Sequence, residues 1–309
     1  MKPEKVAIIG GGICGLYLGW KLSQKGHKVV IFEKEKEVGN KVCSGLFSER
    51  ILEYIPSSQR LIENRISSVL LNFPKKSIRV SFSKKFLVMN RSQLDRLVFD
   101  LAKGVEIVFN SNISSLPQGF DRIIGCDGAN SFIRKELGLS DPLFRLAIQG
   151  FIRKEDFSDS VETWPCKDGF VWKIPRGKEI EYGVIGDIRK AKRTFDGFLE
   201  KNNLSLERIG SKIVPQGFLI PKNRKITLCG DAAGLTKPWS GGGVVWSLIA
   251  ANILLKTFPD FLEYRRLMKR FFVPKIIFSK TVTRLVYFLG FNLPWFLPKN
   301  SKMESDFLL

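Results

Sequence analysis

Residues 6–33 read VAIIGGGICGLYLGWKLSQKGHKVVIFE and constrain the fold more than any other stretch. Val6, Ala7, Ile8 and Ile9 form a short apolar run, the pattern of a buried parallel strand. They lead into Gly10, Gly11, Gly12, Ile13, Cys14 and Gly15, a G-x-G-x-x-G. Leu16, Leu18, Trp20 and Leu22 follow in an apolar helical pattern, with a turn at Gly26. Val29, Val30, Ile31 and Phe32 make a second apolar run, which ends on Glu33. Strand, glycines, helix, strand and acid fall in the order of a dinucleotide-binding βαβ unit. In such a unit Gly10 makes the tight turn, Gly12 lets the backbone approach a pyrophosphate, and Gly15 lets the helix pack on the strand. The helix start offers N–H groups and a positive dipole end to the phosphates. Glu33 is placed to accept hydrogen bonds from a ribose.

The 309 residues are enough for a sizeable core and two domains. Cys14, Cys43, Cys126, Cys166 and Cys229 form no CxxC and are odd in number, which argues for a reducing compartment and against a zinc site. His27 is the one histidine and sits in the turn before the second strand, where a surface position is expected. That speaks against a Ser-His-Asp triad and against any His-based metal site. Fifty Lys and Arg against thirty Asp and Glu give a net charge of +20. Such an excess suits nucleic acid, an anionic membrane or an acidic partner, or is simply a solvated basic surface. No nucleic-acid-binding motif accompanies it. Lys2, Glu4 and Lys5 run straight into the first strand, so no secretory signal is expected. The longest uncharged run, residues 238–255, contains three glycines, Ser247 and Asn252 and reads as a buried helix rather than a membrane span.

Along the chain, residues 34–40 form a charged, turn-forming segment. A loop of small residues, 41–48, follows, and Ser48 is expected to cap a helix starting near Glu49. Residues 67–89 read as an antiparallel excursion around Pro74, Lys75 and Lys76. Arg91 leads into a helix over 92–103, and residues 105–110 make another strand. A strand ending in Asp127 and Gly128 comes next, then a strand-rich stretch over 144–182 with Trp164, Phe170 and Trp172. Gly230 and Asp231 end another apolar strand, and Gly241, Gly242 and Gly243 open a long apolar helix.

The G-x-G-x-x-G ending on Glu33, the Arg91 helix, Asp127-Gly128 and Gly230-Asp231 stand in the order of the glutathione-reductase-like flavoproteins with a p-hydroxybenzoate-hydroxylase-type layout, which this chain resembles. The resemblance implies bound FAD. Arg91 would lie along the flavin dinucleotide, Asp127 would support the pyrophosphate region and Asp231 the ribityl chain. The Gly241 helix would present its N-terminus to the flavin ring. Within that superfamily, Cys43-Ser44-Gly45-Leu46-Phe47-Ser48 is similar to the C-x-G-x-x-S loop of the geranylgeranyl reductase family. Residues 170–175, FVWKIP, are similar to its Y-x-W-x-F-P. Phe170 stands for Tyr, Ile174 stands for Phe, and the paired glycines 183 and 186 are spaced three apart rather than two. The W-x-I-P is equally similar to the W-x-W-x-I-P of flavin-dependent halogenases.

The resemblance implies an α/β fold: a Rossmann-like FAD-binding domain with an inserted antiparallel-sheet substrate domain and a C-terminal helical segment. The expected division gives residues 1–66, 90–142 and 223–258 to the FAD-binding domain. Residues 67–89 and 143–222 go to the substrate domain, and 259–309 to the basic-aromatic segment. The implied activity is saturation of isoprenoid (geranylgeranyl) double bonds by hydride from reduced flavin. A flavin-dependent monooxygenase or halogenase, or a non-catalytic membrane-associated flavoprotein, are the alternatives. Trp164, Phe170, Trp172 and Ile174 suit an apolar substrate pocket or plain sheet core. Cys43 would face the flavin and relay a proton, or is simply a small residue in a tight loop. No second G-x-G-x-x-G appears, so the electron donor is NAD(P)H acting directly or a reduced ferredoxin-like protein. In the segment 261–309, basic residues are scattered among aromatics, and Pro274, Pro294 and Pro298 are expected to interrupt any long helix. Such a segment suits an anionic membrane interface or a cover over the active site. The expected location is cytoplasmic, peripheral at the inner membrane face, and deletion of 261–309 is expected to weaken liposome binding.

Overall fold

The computed structural model describes residues 2–39 and 41–303. Asn40 of the charged turn and the tail beyond Met303 lie outside the described residues.

The apolar run β1 (Lys5–Ile9) feeds α1 (Ile13–Gln24), which returns to β2 (Lys28–Phe32). A short β3 (Leu46–Ser48) and α2 (Ile51–Tyr54) lead to the hairpin of β4 (Ile62–Phe73) and β5 (Lys76–Met89). The chain then re-enters the first layer through α3 (Arg91–Leu101), β6 (Glu106–Val108), β7 (Arg122–Gly125) and α4 (Phe132–Glu136). It leaves again as β8 (Leu143–Ile152), β9 (Ser160–Cys166), β10 (Gly169–Pro175), β11 (Ile180–Asp187), α5 (Ala191–Lys201) and β12 (Glu207–Gln216). It closes with β13 (Ile226–Leu228), α6 (Val244–Thr257), α7 (Phe261–Asn292) and β14 (Asn300–Met303).

The strands form two sheets. One is parallel, in the order β13-β7-β1-β2-β6, and its strands are apolar because helices cover it. The other runs β12-β8-β11-β10-β9-β4-β5-β14, with β3 on β5, and is antiparallel except at β4–β9 and β5–β14. The chain first touches this second sheet at β3, and the β4–β5 hairpin begins at Ile62, five residues earlier than the sequence suggests.

Three local expectations are corrected. Ser48 ends β3, and its Oγ accepts from the Arg50 N–H at 3.3 Å; the helix starts only at Ile51. His27 is buried rather than superficial. Its Nδ1 accepts from the Glu4 N–H at 3.1 Å and its ring sits edge-on to Phe258, so turn position did not dictate exposure. Pro274 lies inside α7, which runs unbroken for 32 residues. Proline removes one helical hydrogen bond, but Phe261, Tyr264, Met268 and Phe272 are fully buried on the preceding turns, each worth about 1.5–3 kcal/mol of burial. Trp246 of α6 packs against Phe272 at 5.1 Å. Residues 238–255 do run into the buried helix α6, which ends at Thr257. Among the described residues, no helix is long and apolar enough to cross a membrane.

Candidate active site

The glycine turn after β1 is built as tightly as its motif demands. Gly10 has φ 104°, and a Cβ there would lie 2.4 Å from the Cys126 carbonyl oxygen. A Cβ on Gly15 would lie 2.0 Å from the Gly10 carbonyl oxygen. A Cβ on Gly12 would meet nothing within 4 Å. The chain thus crowds Gly10 and Gly15 but leaves open space at Gly12, over the start of α1. Glu33 is buried just past β2, its carboxylate accepting from the Gly11 N–H at 2.6 Å and the Glu35 N–H at 2.9 Å. These residues fit the pyrophosphate and ribose of a dinucleotide.

The two aspartate turns join the same end of the parallel sheet. Asp127 accepts from the Ser131 hydroxyl at 2.6 Å and the Ile133 N–H at 3.1 Å, so it fastens the turn at Gly128 to α4. Asp231 lies beside Gly243 at the start of α6, where a Cβ would sit 3.0 Å from its Oδ1. Its other oxygen pairs with Lys212 of β12 at 2.8 Å. Gly230-Asp231 and Gly241–Gly243 are therefore one unit in space. Arg134, fully buried, ties both turns together: it donates to the Ala129 carbonyl at 2.8 Å and the Ala232 carbonyl at 3.1 Å. Cys14, Cys126 and Cys229 pack beneath the glycine turn, and all five cysteines are free. A hydrogen bond from Cys126 and burial push the Cys14 thiol up, which keeps it protonated.

The Cys43 loop meets this unit from the other sheet. Cys43 is half-buried, its sulfur accepts weakly from the Gly45 N–H at 3.5 Å, and it is an electrostatic neighbour of the Arg91 guanidinium. Burial works against the Arg91 charge, but Asp95, bound through Nε at 2.8 Å, and Cys43 more than restore it. The loop rests on the second sheet: Gln149 of β8 donates to the Cys43 carbonyl at 3.1 Å, and a Cβ on Gly210 of β12 would strike Val42. Gly210 and Lys212 share one face of β12, two residues or about 7 Å apart. One touches the thiol loop and the other touches Asp231, so thiol and aspartate stand over the same sheet face.

Of the four apolar site candidates, Phe170, Trp172 and Ile174 share the inner face of β10 and are buried. Trp164 is corrected. It pairs with Val171, which puts it on the opposite face, packed on Phe198 of α5 at 4.8 Å. Trp172 donates from Nε1 to Glu181 at 3.0 Å, and Phe170 stacks under Trp239 at 4.4 Å. A cavity of about 170 Å³ lies beyond Trp239, walled by Val69, Phe73 and Val80 of the β4–β5 hairpin and Val282, Val286 and Tyr287 of α7. None of its lining side chains is charged. The open hydrocarbon space is therefore against the hairpin and α7, because Trp239 already covers β10. Arg134, Arg176, Lys212 and Trp239 went unrecognised in the sequence, since each has a partner far away in the chain: Ala232, Glu63, Asp231 and Tyr287. Arg176, one residue past the FVWKIP run, and Trp239, two residues before the Gly241–Gly243 run, stand beside recognised motifs.

Residues 8–58 match the NAD(P)-binding Rossmann-like domain. A digeranylgeranylglycerophospholipid reductase of Methanococcus vannielii is 24% identical, over 82% of this chain and 77% of the relative. A geranylgeranyl diphosphate reductase of Rhodobacter capsulatus is 22% identical, over 78% of this chain and 71% of the relative. Among solved structures, a geranylgeranyl bacteriochlorophyll reductase-like protein of Thermoplasma acidophilum superimposes with TM-score 0.77 at 18% identity, covering 92% of this chain and 87% of that one. The flavin-dependent halogenase CmlS superimposes with TM-score 0.73 at 18% identity, covering 99% of this chain and 69% of that one, and is a relative in fold. This chain is a relative of the geranylgeranyl reductases and has the fold of the FAD-dependent oxidoreductases.

Proposed function

We propose that this protein is an FAD-dependent reductase that saturates double bonds of isoprenoid chains, such as geranylgeranyl groups on a lipid or a diphosphate. The observation that carries the reading is a half-buried thiol held over the same sheet face as the glycine–aspartate turns, with an uncharged cavity behind Trp239. Bound FAD would supply the hydride. Gly10, Gly12, Gly15 and Glu33 would hold its adenosine and pyrophosphate, with Asp127 and Gly128 beneath. Arg91, Asp231 and the start of α6 at Gly241–Gly243 would hold the flavin half. An isolated alkene carries no charge, so the chain's part is to bind it, exclude water and supply the proton. Cys43 Sγ holds that proton, oriented by Arg91.

A cavity of about 150 Å³ takes one benzene, so about 170 Å³ accepts one isoprene-sized group at a time. The rest of the chain must lie outside. The outer face of α7 offers Ile277, Phe278, Leu285 and Phe288 to solvent, and Trp295 and Phe296 follow. Lys269, Arg270, Lys275, Lys280 and Arg284 accompany them, and no acidic residue occurs between Glu263 and Met303. This face suits an anionic bilayer surface, at about 1 kcal/mol per nearby Lys or Arg. Deleting residues 261–309 would also remove core residues Phe261, Tyr264 and Phe272, so a surface change is the sharper test. Phe278→Asp with Phe288→Asp is expected to keep the fold and abolish sedimentation with anionic liposomes. Undiminished sedimentation would refute the contact. The electron donor is NAD(P)H or a reduced ferredoxin-like protein, and the net charge of +20 suits an acidic donor.

Mass spectrometry of geranylgeranyl diphosphate and of a geranylgeranylated lipid, incubated with the protein, FAD and dithionite, tests the function without a natural donor. The expected result is a ladder of added hydrogen pairs. Val286→Trp, which fills the cavity, is expected to abolish the ladder while flavin binding and bleaching persist. An unchanged mass with bleached flavin in the wild type would remove the prenyl reading and turn attention to oxygen-dependent chemistry.

A further inference from the structure

We infer that Arg176 and Gln149 are positioning residues that clamp the Cys43 loop to the second sheet and so aim its thiol; this rests on the proton-donor reading of Cys43. Arg176 follows β10 and is 6% exposed. Its guanidinium donates to the Ser44 carbonyl at 2.6 Å and to the Met89 carbonyl at 3.1 Å. Ser44 is the residue after Cys43, and Met89 lies two residues before Arg91, the thiol's partner. One planar fork therefore grips both backbone segments that carry the Cys43–Arg91 pair. Gln149 holds the Cys43 carbonyl from the other side at 3.1 Å.

The fork is itself held in place. Glu63 takes NH2 at 2.7 Å and the fully buried Glu181 takes NH1 at 2.9 Å. Glu181 also accepts from the Trp172 indole at 3.0 Å, so the thiol loop and the aromatic floor under Trp239 share one carboxylate. Burial pushes the Glu181 carboxyl up to about 7, with Arg176 and Trp172 pulling the other way. The loop lies tight against the end of β5. Gly45 has φ 67°, and a Cβ there would lie 2.0 Å from the Met89 carbonyl oxygen. An arginine is needed because its rigid, multi-donor plane reaches two carbonyls and two carboxylates at once; a lysine is a single point charge.

The test uses the FAD-loaded full-length protein with Arg176→Lys and, separately, Gln149→Leu. Iodoacetamide alkylation of Cys43, followed by peptide mass spectrometry, needs no turnover. It is expected to run about fivefold faster in either variant, the effect of one lost hydrogen bond on a local opening equilibrium. The rate at Cys166, in the same digest, is expected to stay unchanged. An unchanged rate at Cys43 overturns the clamp. In prenyl reduction, Arg176→Lys is expected to lower kcat about tenfold or more at similar KM. Added to Cys43→Ser, it is expected to lower kcat no further, since both act through one thiol. Additive losses overturn the inference. If the wild type reduces no prenyl chain, the functional reading fails while alkylation still decides the clamp. If Arg176→Lys does not fold, Gln149→Leu carries both arms.

Discussion

Gly15→Ala is expected to yield a protein that neither folds normally nor retains FAD, whereas Gly12→Ala is expected to fold and yet lose the flavin. The contrast follows from what surrounds each glycine. A methyl added at Gly15 would sit 2.0 Å from the Gly10 carbonyl oxygen and 3.2 Å from Ile8. Relief requires α1 to lift from β1, yet Leu16, Leu18 and Leu22 are fully buried under it. Overpacking of this kind costs about 1–3 kcal/mol or more, and here it also deforms the turn itself. At Gly12 the backbone is ordinary, with φ −74° and ψ 175°, and a methyl meets no protein atom. Its competitor would be the pyrophosphate of the proposed FAD. Thermal melts and flavin absorbance after desalting separate the two outcomes. A Gly15→Ala protein with the wild-type melt and full flavin would contradict the packing argument, and a flavin-loaded Gly12→Ala would contradict the placement of the pyrophosphate.

Cys43→Ser is expected to keep FAD and its bleaching by dithionite while prenyl reduction falls about 10²-fold or more, the usual scale of a lost general acid. Serine matches the thiol in size and can accept the contacts from Gly45 and Arg91. What it lacks is a thiol proton, since a hydroxyl is a far weaker acid than a thiol. The measurement is single-turnover oxidation of the reduced enzyme by prenyl substrate, with the product read by mass. Full turnover would assign the proton to another donor and leave Cys43 as loop packing.

Local backbone demands were legible in the chain. The turn at Gly10 and the helix–strand contact at Gly15 were legible because each needs a glycine at one fixed position. The face of Trp164 was not legible. It depends on the pairing of β9 with β10, where a shift of one residue moves a side chain to the other face. Pro274 misled because the loss of one hydrogen bond is local, while the burial of Phe272 and Tyr264 that outweighs it is tertiary. The Lys212–Asp231 and Arg176–Glu63 pairs join residues 19 and 113 positions apart, and no periodicity announces a partner at such distances. The cavity was not legible for the same reason: its walls come mainly from the β4–β5 hairpin and α7, which nothing in either segment alone brings together.

The hairpin that walls the cavity is spliced between α2 and α3, and the α7 wall is reached only after β13 and α6 have returned to the parallel sheet. Neither sheet is a continuous piece of chain. A chimera that exchanges one contiguous block with a relative would therefore cut through both layers and transplant half a pocket onto a foreign half. Under the proposed function, new chain-length preferences are better sought one wall residue at a time, at Val69, Val80, Val282 and Val286, than by grafting a module.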